Sequence, residues 1–198
     1  MITVAVTGAS GAIYALRTLR ALLMYGREVH LIVSEFGWLL LREEGGFEGK
    51  QKEFHSFLLE RYGEDLKNGL LRLYSPGDLA SRVASGSSES EGMVVVPCSM
   101  KTLSGIAHGY AENLIARAAD VMLKEKRPLI LVPRETPFNL IHLRNMVAAA
   151  EAGASILPAM PAFYQKPKSF EDLGDFIAGR ILNMFGIDND LFQKWTGL

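Results

Sequence analysis

The chain has 198 residues, a formal net charge of −1, 48% hydrophobic residues and 22% charged residues. This length and composition predict one soluble globular domain over residues 1–198 and no basic arm for nucleic acid. No apolar run approaches the roughly 18 residues that span a membrane. Cys98 is the single cysteine, which excludes an internal disulfide, and the chain opens on a strand rather than on a signal peptide. We therefore expect a cytoplasmic protein.

Apolar strand-like runs alternate with helical periodicity along the chain. Strands are predicted at residues 2–7, 28–33, 71–74, 93–97, 129–133 and 155–157. Helices are predicted at residues 12–24, 36–44, 51–62, 112–126, 138–152 and 171–185. Because this alternation is typical of parallel sheets covered on both faces, we expect a three-layer αβα sandwich with a mostly parallel, Rossmann-like (flavodoxin-like) sheet. The serine loop, residues 84–92 (ASGSSESEG), is predicted to be exposed or to face a ligand.

Open parallel sheets bind ligands beyond the carboxyl ends of their strands. Glycines and polar side chains follow five of the predicted strands at that position. They are Gly8, Ala9, Ser10 and Gly11 after the first strand, Ser34 after the second, 98–102 after the fourth, 134–137 after the fifth and 158–164 after the last. We expect all of these segments on one rim of the sheet.

The turn after the first strand, residues 7–11 (TGASG), lacks the GxGxxG fingerprint of dinucleotide-binding folds. Hydroxyl groups instead follow three different strands, at Ser10, Ser34, Ser99 and Thr102. Together with helix N-terminal amides they suit one terminal phosphate, which favours a mononucleotide ligand. The alternative is that these serines only cap helices.

Cationic side chains suggest a second phosphate site. Arg117, Asp120 and Lys124 have the spacing of one helix face, which by itself is typical of a solvated salt-bridge stripe. If Arg134 and Arg180 converge with them on the rim, the cations would hold a phosphate as a leaving group. No DDxxD motif for magnesium and no metal-ligand spacing among the histidines occurs in the sequence, so no metal is expected.

Several blocks of the sequence point to one family when taken together. They are GASGAIY, VPCSMKTLSGIAHG, NLIARAADVMLKEKRPLILVPRETP, ILPAMPAFYQKP and the closing FQKW. In these blocks, which follow in order over nearly the whole chain, the protein resembles the flavin prenyltransferases of the UbiX type. The resemblance implies that reduced FMN and dimethylallyl phosphate are joined at flavin N5 and C6. The product, prenylated FMN, would serve a partner aromatic-acid decarboxylase, for example in ubiquinone synthesis.

The resemblance also implies roles for individual residues and an assembly. FMN contacts are implied at Gly8, Ala9, Ser10, Ser34, Ser99, Met100, Lys101, Thr102 and Arg134. Prenyl-phosphate contacts are implied at Lys124, Arg134, Tyr164 and Arg180, with Tyr164 and Trp195 offering aromatic faces to the allylic carbon. Glu135 is implied as the proton carrier, assisted by Ser10, and Arg117 as a holder of the phosphate region or of Glu135. The implied assembly is a homododecamer whose sites are completed by neighbouring chains.

Two positions depart from the family pattern, and two other functions stay open. Ala15 replaces a glycine that the family commonly has, and Ser88 stands where the family motif SGSF has an aromatic residue, a change expected to widen the prenyl pocket. The first alternative is an FMN-dependent cysteine decarboxylase of the same fold, which relies on an early histidine and lacks the PRETP and PAFY blocks. The second is a non-catalytic FMN carrier, which needs no second phosphate site.

Overall fold

The structure is a computed structural model that describes residues 1–193, 195 and 197. Its strands are β1 Ile2–Val6, β2 Glu28–Val33, β3 Leu70–Tyr74, β4 Gly92–Cys98, β5 Leu129–Pro133 and β6 Ser155–Ile156. Its α-helices are α1 Ala12–Met24, α2 Glu35–Glu43, α3 Phe54–Tyr62, α4 Met100–Ala107, α5 Leu114–Lys124, α6 Leu140–Glu151 and α7 Phe170–Met184. Within the described part of the chain, no helix is long and apolar enough to cross a membrane.

The strands form one parallel sheet in the order β3-β2-β1-β4-β5-β6. β1 lies at its centre, where Ile2 pairs with Val29 of β2 on one side and with Gly92 of β4 on the other. The order reverses between β1 and β4, as it does in doubly wound nucleotide-binding domains of the Rossmann type. The predicted three-layer αβα class with a parallel sheet is therefore confirmed.

Alternate residues of β1 face two separate cores. Ile2, Val4 and Val6 belong to the core that α1, α2, α3 and α7 cover. Ala5 points to the opposite face of the sheet and belongs to the core beneath α4, α5 and α6. All of these β1 side chains are fully buried, which explains why the central strands read as nearly continuous apolar sequence.

Two segments differ from their predicted structure. Residues 51–62, predicted as one helix, begin as a 3₁₀ turn over Gln51–Glu53 and become α-helical only at Phe54. The sequence does not predict α4, which has eight residues and contains Gly105, a poor helix former. What stabilises α4 is the burial of Leu103 and Ile106 against the sheet, a tertiary contact that outweighs local propensity.

Candidate active site

A cleft lies beyond the carboxyl ends of β1, β2 and β4, at the reversal of strand order. Its volume is about 450 Å³, which lies in the range of about 300–1,000 Å³ typical of cofactor pockets. The cleft is lined by Gly8, Ser34, Phe36, Ser99, Lys101 and Thr102, and its outer wall includes His108, Tyr110 and Asn113. This position is where open α/β sheets bind their ligands.

The side chain of Thr7 joins two walls of this cleft. Its buried hydroxyl donates to the carbonyl oxygen of Pro97 at 2.8 Å and accepts from the amide of Ser99, also at 2.8 Å. The ends of β1 and β4 are therefore held at a fixed separation. Gly8 follows, and a Cβ at this position would collide with the Cβ of Phe36, so the narrow floor of the cleft requires glycine.

Two of the four predicted cradle hydroxyls, those of Ser34 and Ser99, cap helices. Ser34 accepts from the amide of Gly37 at 3.0 Å at the start of α2, and Ser99 accepts from the amide of Thr102 at 3.3 Å at the start of α4. The Ser34 hydroxyl keeps its own O–H as a donor, whereas the Ser99 and Thr102 hydroxyls bond each other at 3.0 Å and leave one O–H between them. The first amides of α4, at Met100 and Lys101, have no partner within the helix. Capping and phosphate binding are thus compatible at this site.

The N-terminus of α1 is already occupied by a carboxylate. Glu44, at the end of α2, accepts from the amides of Gly11 at 2.7 Å and Ala12 at 3.1 Å. Burial raises the pKa of Glu44, but hydrogen bonds from Ser10, Gly11 and Ala12 and the charge of Arg134 outweigh burial, so the pKa is lowered. Of the helices that follow the central strands β1 and β4, α4 is therefore the one whose first turn is left for a ligand phosphate. Sequence reasoning missed Glu44, because the contact joins residues 33 positions apart.

Arg134 and Glu135 stand at the end of β5 and meet the first turn. Arg134 Nε donates to the carbonyl oxygen of Ser10 at 2.9 Å, which brings the fifth strand end to the β1 turn. The half-buried Glu135 accepts from the amide of Thr136 at 2.9 Å. Among the described residues Glu135 forms no ion pair, so within one chain it is not a counter-ion of Arg117, Lys124 or Arg134.

The cations on α5 lie at two different ends of that helix. Arg117 pairs with Asp120 at 2.8 Å in its first half, where the N-terminal residues of α5 also line the cleft. Lys124 is the last residue of α5 and pairs with Glu125. Because α5 leads into the amino end of the parallel strand β5, Lys124 lies at the edge of the sheet opposite the rim. The expected convergence of all cations on one rim does not occur within one chain.

The aromatic residues predicted for the prenyl group do come together. The ring centroids of Tyr164 and Trp195 are 5.5 Å apart, and the two rings meet edge to face. The Tyr164 ring also lies edge to face against Phe176 of α7, with 6.2 Å between the ring centroids. Arg180 follows Phe176 by one helical turn, is exposed, and forms no hydrogen bond or ion pair in the part of the chain described. This group lies on the α1 and α7 side of the sheet, whereas Lys124 lies on the α5 side.

The remaining positions singled out in the sequence have structural roles. Ala15 is fully buried in the core beneath α1, away from the cleft. Ser88 donates its hydroxyl to the carbonyl oxygen of Arg82 at 2.7 Å, which ties the serine loop to the 3₁₀ turn that precedes it. Cys98 is buried, which raises its pKa to about 12 and leaves it a packed thiol rather than a nucleophile. In the described residues no group of side chains could hold a metal ion.

The parallel sheet and the hydroxyl-lined cleft at its switch point define a mononucleotide-binding protein of the flavoprotein class. Over residues 1–182 the chain matches the family described as Flavoprotein. The flavin prenyltransferase UbiX of Pseudomonas aeruginosa is 48% identical over 196 residues, which cover 98% of this chain and 93% of that protein. The chain belongs to the UbiX family of flavin prenyltransferases, so the resemblance drawn from the sequence is confirmed.

Solved structures agree with this assignment. A crystal structure of AnUbiX (PadA1) in complex with FMN and dimethylallyl pyrophosphate has a TM-score of 0.87 and 42% identity, and it covers 100% of this chain and 97% of its own. A dodecameric FMN-dependent UbiX-like decarboxylase from Escherichia coli O157:H7 has a TM-score of 0.84 and 37% identity, with full coverage of both chains. The peptidyl-cysteine decarboxylase EpiD, at 15% identity and a TM-score of 0.56, shares the fold alone.

Proposed function

We propose that the protein transfers the dimethylallyl group of dimethylallyl phosphate to N5 and C6 of reduced FMN. The prenylated FMN then serves a recipient prenylated-FMN-dependent decarboxylase. The observation that carries the proposal is the meeting, on one rim, of the hydroxyl cradle at Ser34, Ser99 and Thr102 with the cluster of Ser10 and Arg134. A relative that shares this fold, at 42% identity, was crystallised with FMN and dimethylallyl pyrophosphate.

The donor set of the cleft suits the phosphate of FMN. Ser34, Ser99 and Thr102 offer hydroxyl groups, the first turn of α4 offers free amides with the positive end of its dipole, and Lys101 adds a full charge. The turn at Gly8, Ala9 and Ser10 lies between this cradle and Arg134. When bound, reduced FMN supplies the two nucleophilic positions that receive the prenyl group.

Departure of phosphate is assigned to the cations and the aromatic side chains. Breaking the bond between the allylic carbon and the phosphate oxygen leaves positive charge on the carbon and negative charge on the phosphate. Lys124, Arg134 and Arg180 neutralise the leaving phosphate, and the edge-to-face pair of Tyr164 and Trp195 stabilises the carbon. Because the chain supplies these cations itself, the scheme needs no metal.

Proton transfer is assigned to Glu135 and Ser10. Both flavin positions lose a proton as they form bonds to carbon, so a base must stand at the rim. Glu135 has one carboxylate oxygen bonded to the Thr136 amide and a second oxygen that can accept a proton. The Ser10 hydroxyl is hydrogen-bonded to the Glu44 carboxylate, and the Ser10 carbonyl oxygen accepts from Arg134, the residue before Glu135. Arg117, close to the serine loop, is assigned to the phosphate region.

The prenyl-phosphate residues of one chain lie on opposite sides of its sheet. Lys124 is on the α5 side, and Arg180 and Tyr164 are on the α7 side. A single phosphate can reach both groups only where neighbouring chains meet. We therefore propose a homododecamer, as in the dodecameric relative from Escherichia coli, with sites shared between chains, and a location in the cytoplasm.

The test is an anaerobic incubation of the enzyme with reduced FMN and dimethylallyl phosphate, followed by mass spectrometry of the released flavin. The expected product is FMN enlarged by one five-carbon unit, together with one equivalent of inorganic phosphate. A parallel reaction with a chelator should proceed at the same rate. If FMN is bound but returned unchanged with either dimethylallyl phosphate or the pyrophosphate, the protein is an FMN carrier and the proposal is wrong.

A further inference from the structure

Two arginines fasten the serine loop to α5. Arg117 Nε donates to the carbonyl oxygen of Ala84 at 3.3 Å. Arg127, three residues beyond the end of α5, donates from Nη2 to the carbonyl oxygen of Gly86 at 2.9 Å and from Nη1 to that of Ser88 at 2.7 Å. The three acceptors are alternate residues of the loop. A guanidinium, with its rigid planar fork, suits the two neighbouring carbonyls better than an ammonium would.

The fastened loop lies directly on the Lys124–Glu125 ion pair. A Cβ at Gly86 would stand 2.6 Å from the ammonium nitrogen of Lys124 and would collide with the Glu125 carboxylate. The loop backbone therefore packs against the charged end of Lys124, and a side chain at position 86 would displace the Lys124 ammonium and the Glu125 carboxylate. Since Arg127 holds the carbonyl of Gly86 itself, the same guanidinium sets how closely the loop approaches this lysine.

The side chain of Ser88 takes no part in the arginine contact. Arg127 binds the backbone carbonyl of Ser88, and the Ser88 hydroxyl turns back to the carbonyl of Arg82. The contact is therefore independent of which residue stands at position 88. The departure from the aromatic family pattern at this position leaves the loop fastened.

We propose that Arg127 is a positioning residue of the prenyl-phosphate site, which holds the serine loop against Lys124 and thereby fixes the lysine ammonium. The proposal rests on the proposed function, in which Lys124 binds the leaving phosphate. A lysine has a long flexible stem, and without the loop its ammonium would sample many positions. Loss of Arg127 then weakens binding of the prenyl phosphate without touching the FMN cradle, which lies at the opposite edge of the sheet.

The test compares Arg127→Met, Arg127→Lys and a matched control, Lys126→Met. Met keeps the apolar stem of Arg127 and removes the guanidinium, and Lys keeps the charge with a donor for one carbonyl. The control removes the same charge from the neighbouring exposed residue, whose side chain makes no hydrogen bond in the described part of the chain. We measure kcat and KM for dimethylallyl phosphate at saturating reduced FMN, and the FMN dissociation constant by fluorescence.

Arg127→Met should raise KM about tenfold, within the range of coupling between residues of one network. Arg127→Lys should give a smaller rise, and Lys126→Met should leave KM unchanged. The FMN dissociation constant and kcat should stay near their wild-type values in all three variants. An unchanged KM in Arg127→Met, or an equal loss of FMN affinity, would overturn the positioning role.

A double variant separates this inference from the role of Lys124. In a Lys124→Ala background, Arg127→Met should cause no further rise in KM, because the group that it positions is gone. An equal rise in both backgrounds means that Arg127 acts elsewhere, and the inference fails while Lys124 keeps its assignment. If Lys124→Ala alone leaves KM unchanged, the assignment of Lys124 in the proposed function fails, and positioning through it fails as well.

A substitution on the loop side reaches the same contact if Arg127→Met does not fold. Gly86→Ala places a methyl group against the Lys124 ammonium and leaves Arg127 intact. It should raise KM for the prenyl phosphate and leave FMN binding unchanged. Wild-type kinetics in Gly86→Ala would overturn the inference.

Discussion

Removal of the Glu44 carboxylate is expected to destabilise the start of α1. In Glu44→Ala the amides of Gly11 and Ala12 lose their acceptor, at the position where a negative charge also favours the helix dipole. Loss of a helix cap costs about 0.5–2 kcal/mol, and a cap made by an ion falls in the upper half of that range. For a domain of this size, ~1 kcal/mol lowers Tm by about 2–4 °C, so a fall of about 3–8 °C is expected.

The pH dependence of this fall identifies its cause. The pKa of Glu44 is lowered in the folded state, so its stabilisation is complete above the ordinary glutamate pKa of about 4.3 and is lost as pH falls through the folded value. The difference in Tm between wild type and Glu44→Ala should therefore be constant from pH 7 to about pH 5 and shrink below about pH 4.

Differential scanning fluorimetry at one fixed protein concentration measures these shifts, because assembly makes Tm depend on concentration. Glu43→Ala is the matched control, since it removes the same charge from the adjacent position of α2 without touching an α1 amide. Equal shifts in the two variants, or a Glu44 shift that persists unchanged at low pH, would refute the assigned role of the carboxylate.

Other variants address the chemistry and the ligands. Glu135→Gln should fold and bind FMN but form prenylated FMN at least about a hundredfold more slowly, because Gln cannot carry a proton; near-normal single-turnover rates would leave Glu135 without a role. Lys124→Ala and Arg180→Ala should each raise KM for dimethylallyl phosphate about ten- to hundredfold and leave FMN binding unchanged, since each removes one charge-assisted contact. Unchanged kinetics in both variants would show that these two cations are solvated surface charges that do not contact the prenyl phosphate. Ser99→Ala should weaken FMN binding about five- to thirtyfold in a fluorescence titration, as a cap and a phosphate donor are lost together. FAD and NAD should bind much more weakly than FMN, and equal retention of NAD would contradict the mononucleotide assignment.

The fold could be predicted from the sequence because the patterns that mark its strands and helix caps involve residues close together in the chain. Strands buried on both faces, such as β1 and β5, are continuous apolar runs, and glycine and hydroxyl residues follow them at the rim. The caps at Ser34 and Ser99 are equally local, since each joins residues three positions apart. Helix α4 was not predicted from the sequence because its stability comes from the burial of Leu103 and Ile106 rather than from helix propensity.

Two features of the site are not given by the spacing of residues along the chain. Glu44 reaches the start of α1 across 33 residues, and nothing near it in the sequence marks the contact. The spacing of Arg117, Asp120 and Lys124 correctly predicts a shared helix face, and Arg117 does pair with Asp120. The spacing does not say which end of the helix meets the rim. The direction of a helix that precedes a parallel strand answers that question, and it places Lys124 at the far edge.

The caps at the cleft have a consequence for how the enzyme acquires its flavin. The hydroxyls of Ser34 and Ser99 are oriented by the amides of Gly37 and Thr102 as soon as α2 and α4 fold. Their rotational freedom is therefore lost during folding and not on arrival of the ligand, which removes one of the usual entropic penalties of association. Newly made protein should accordingly present an ordered cleft entrance to free FMN. Loading should be governed by diffusional encounter, with no slow rearrangement of the chain beforehand.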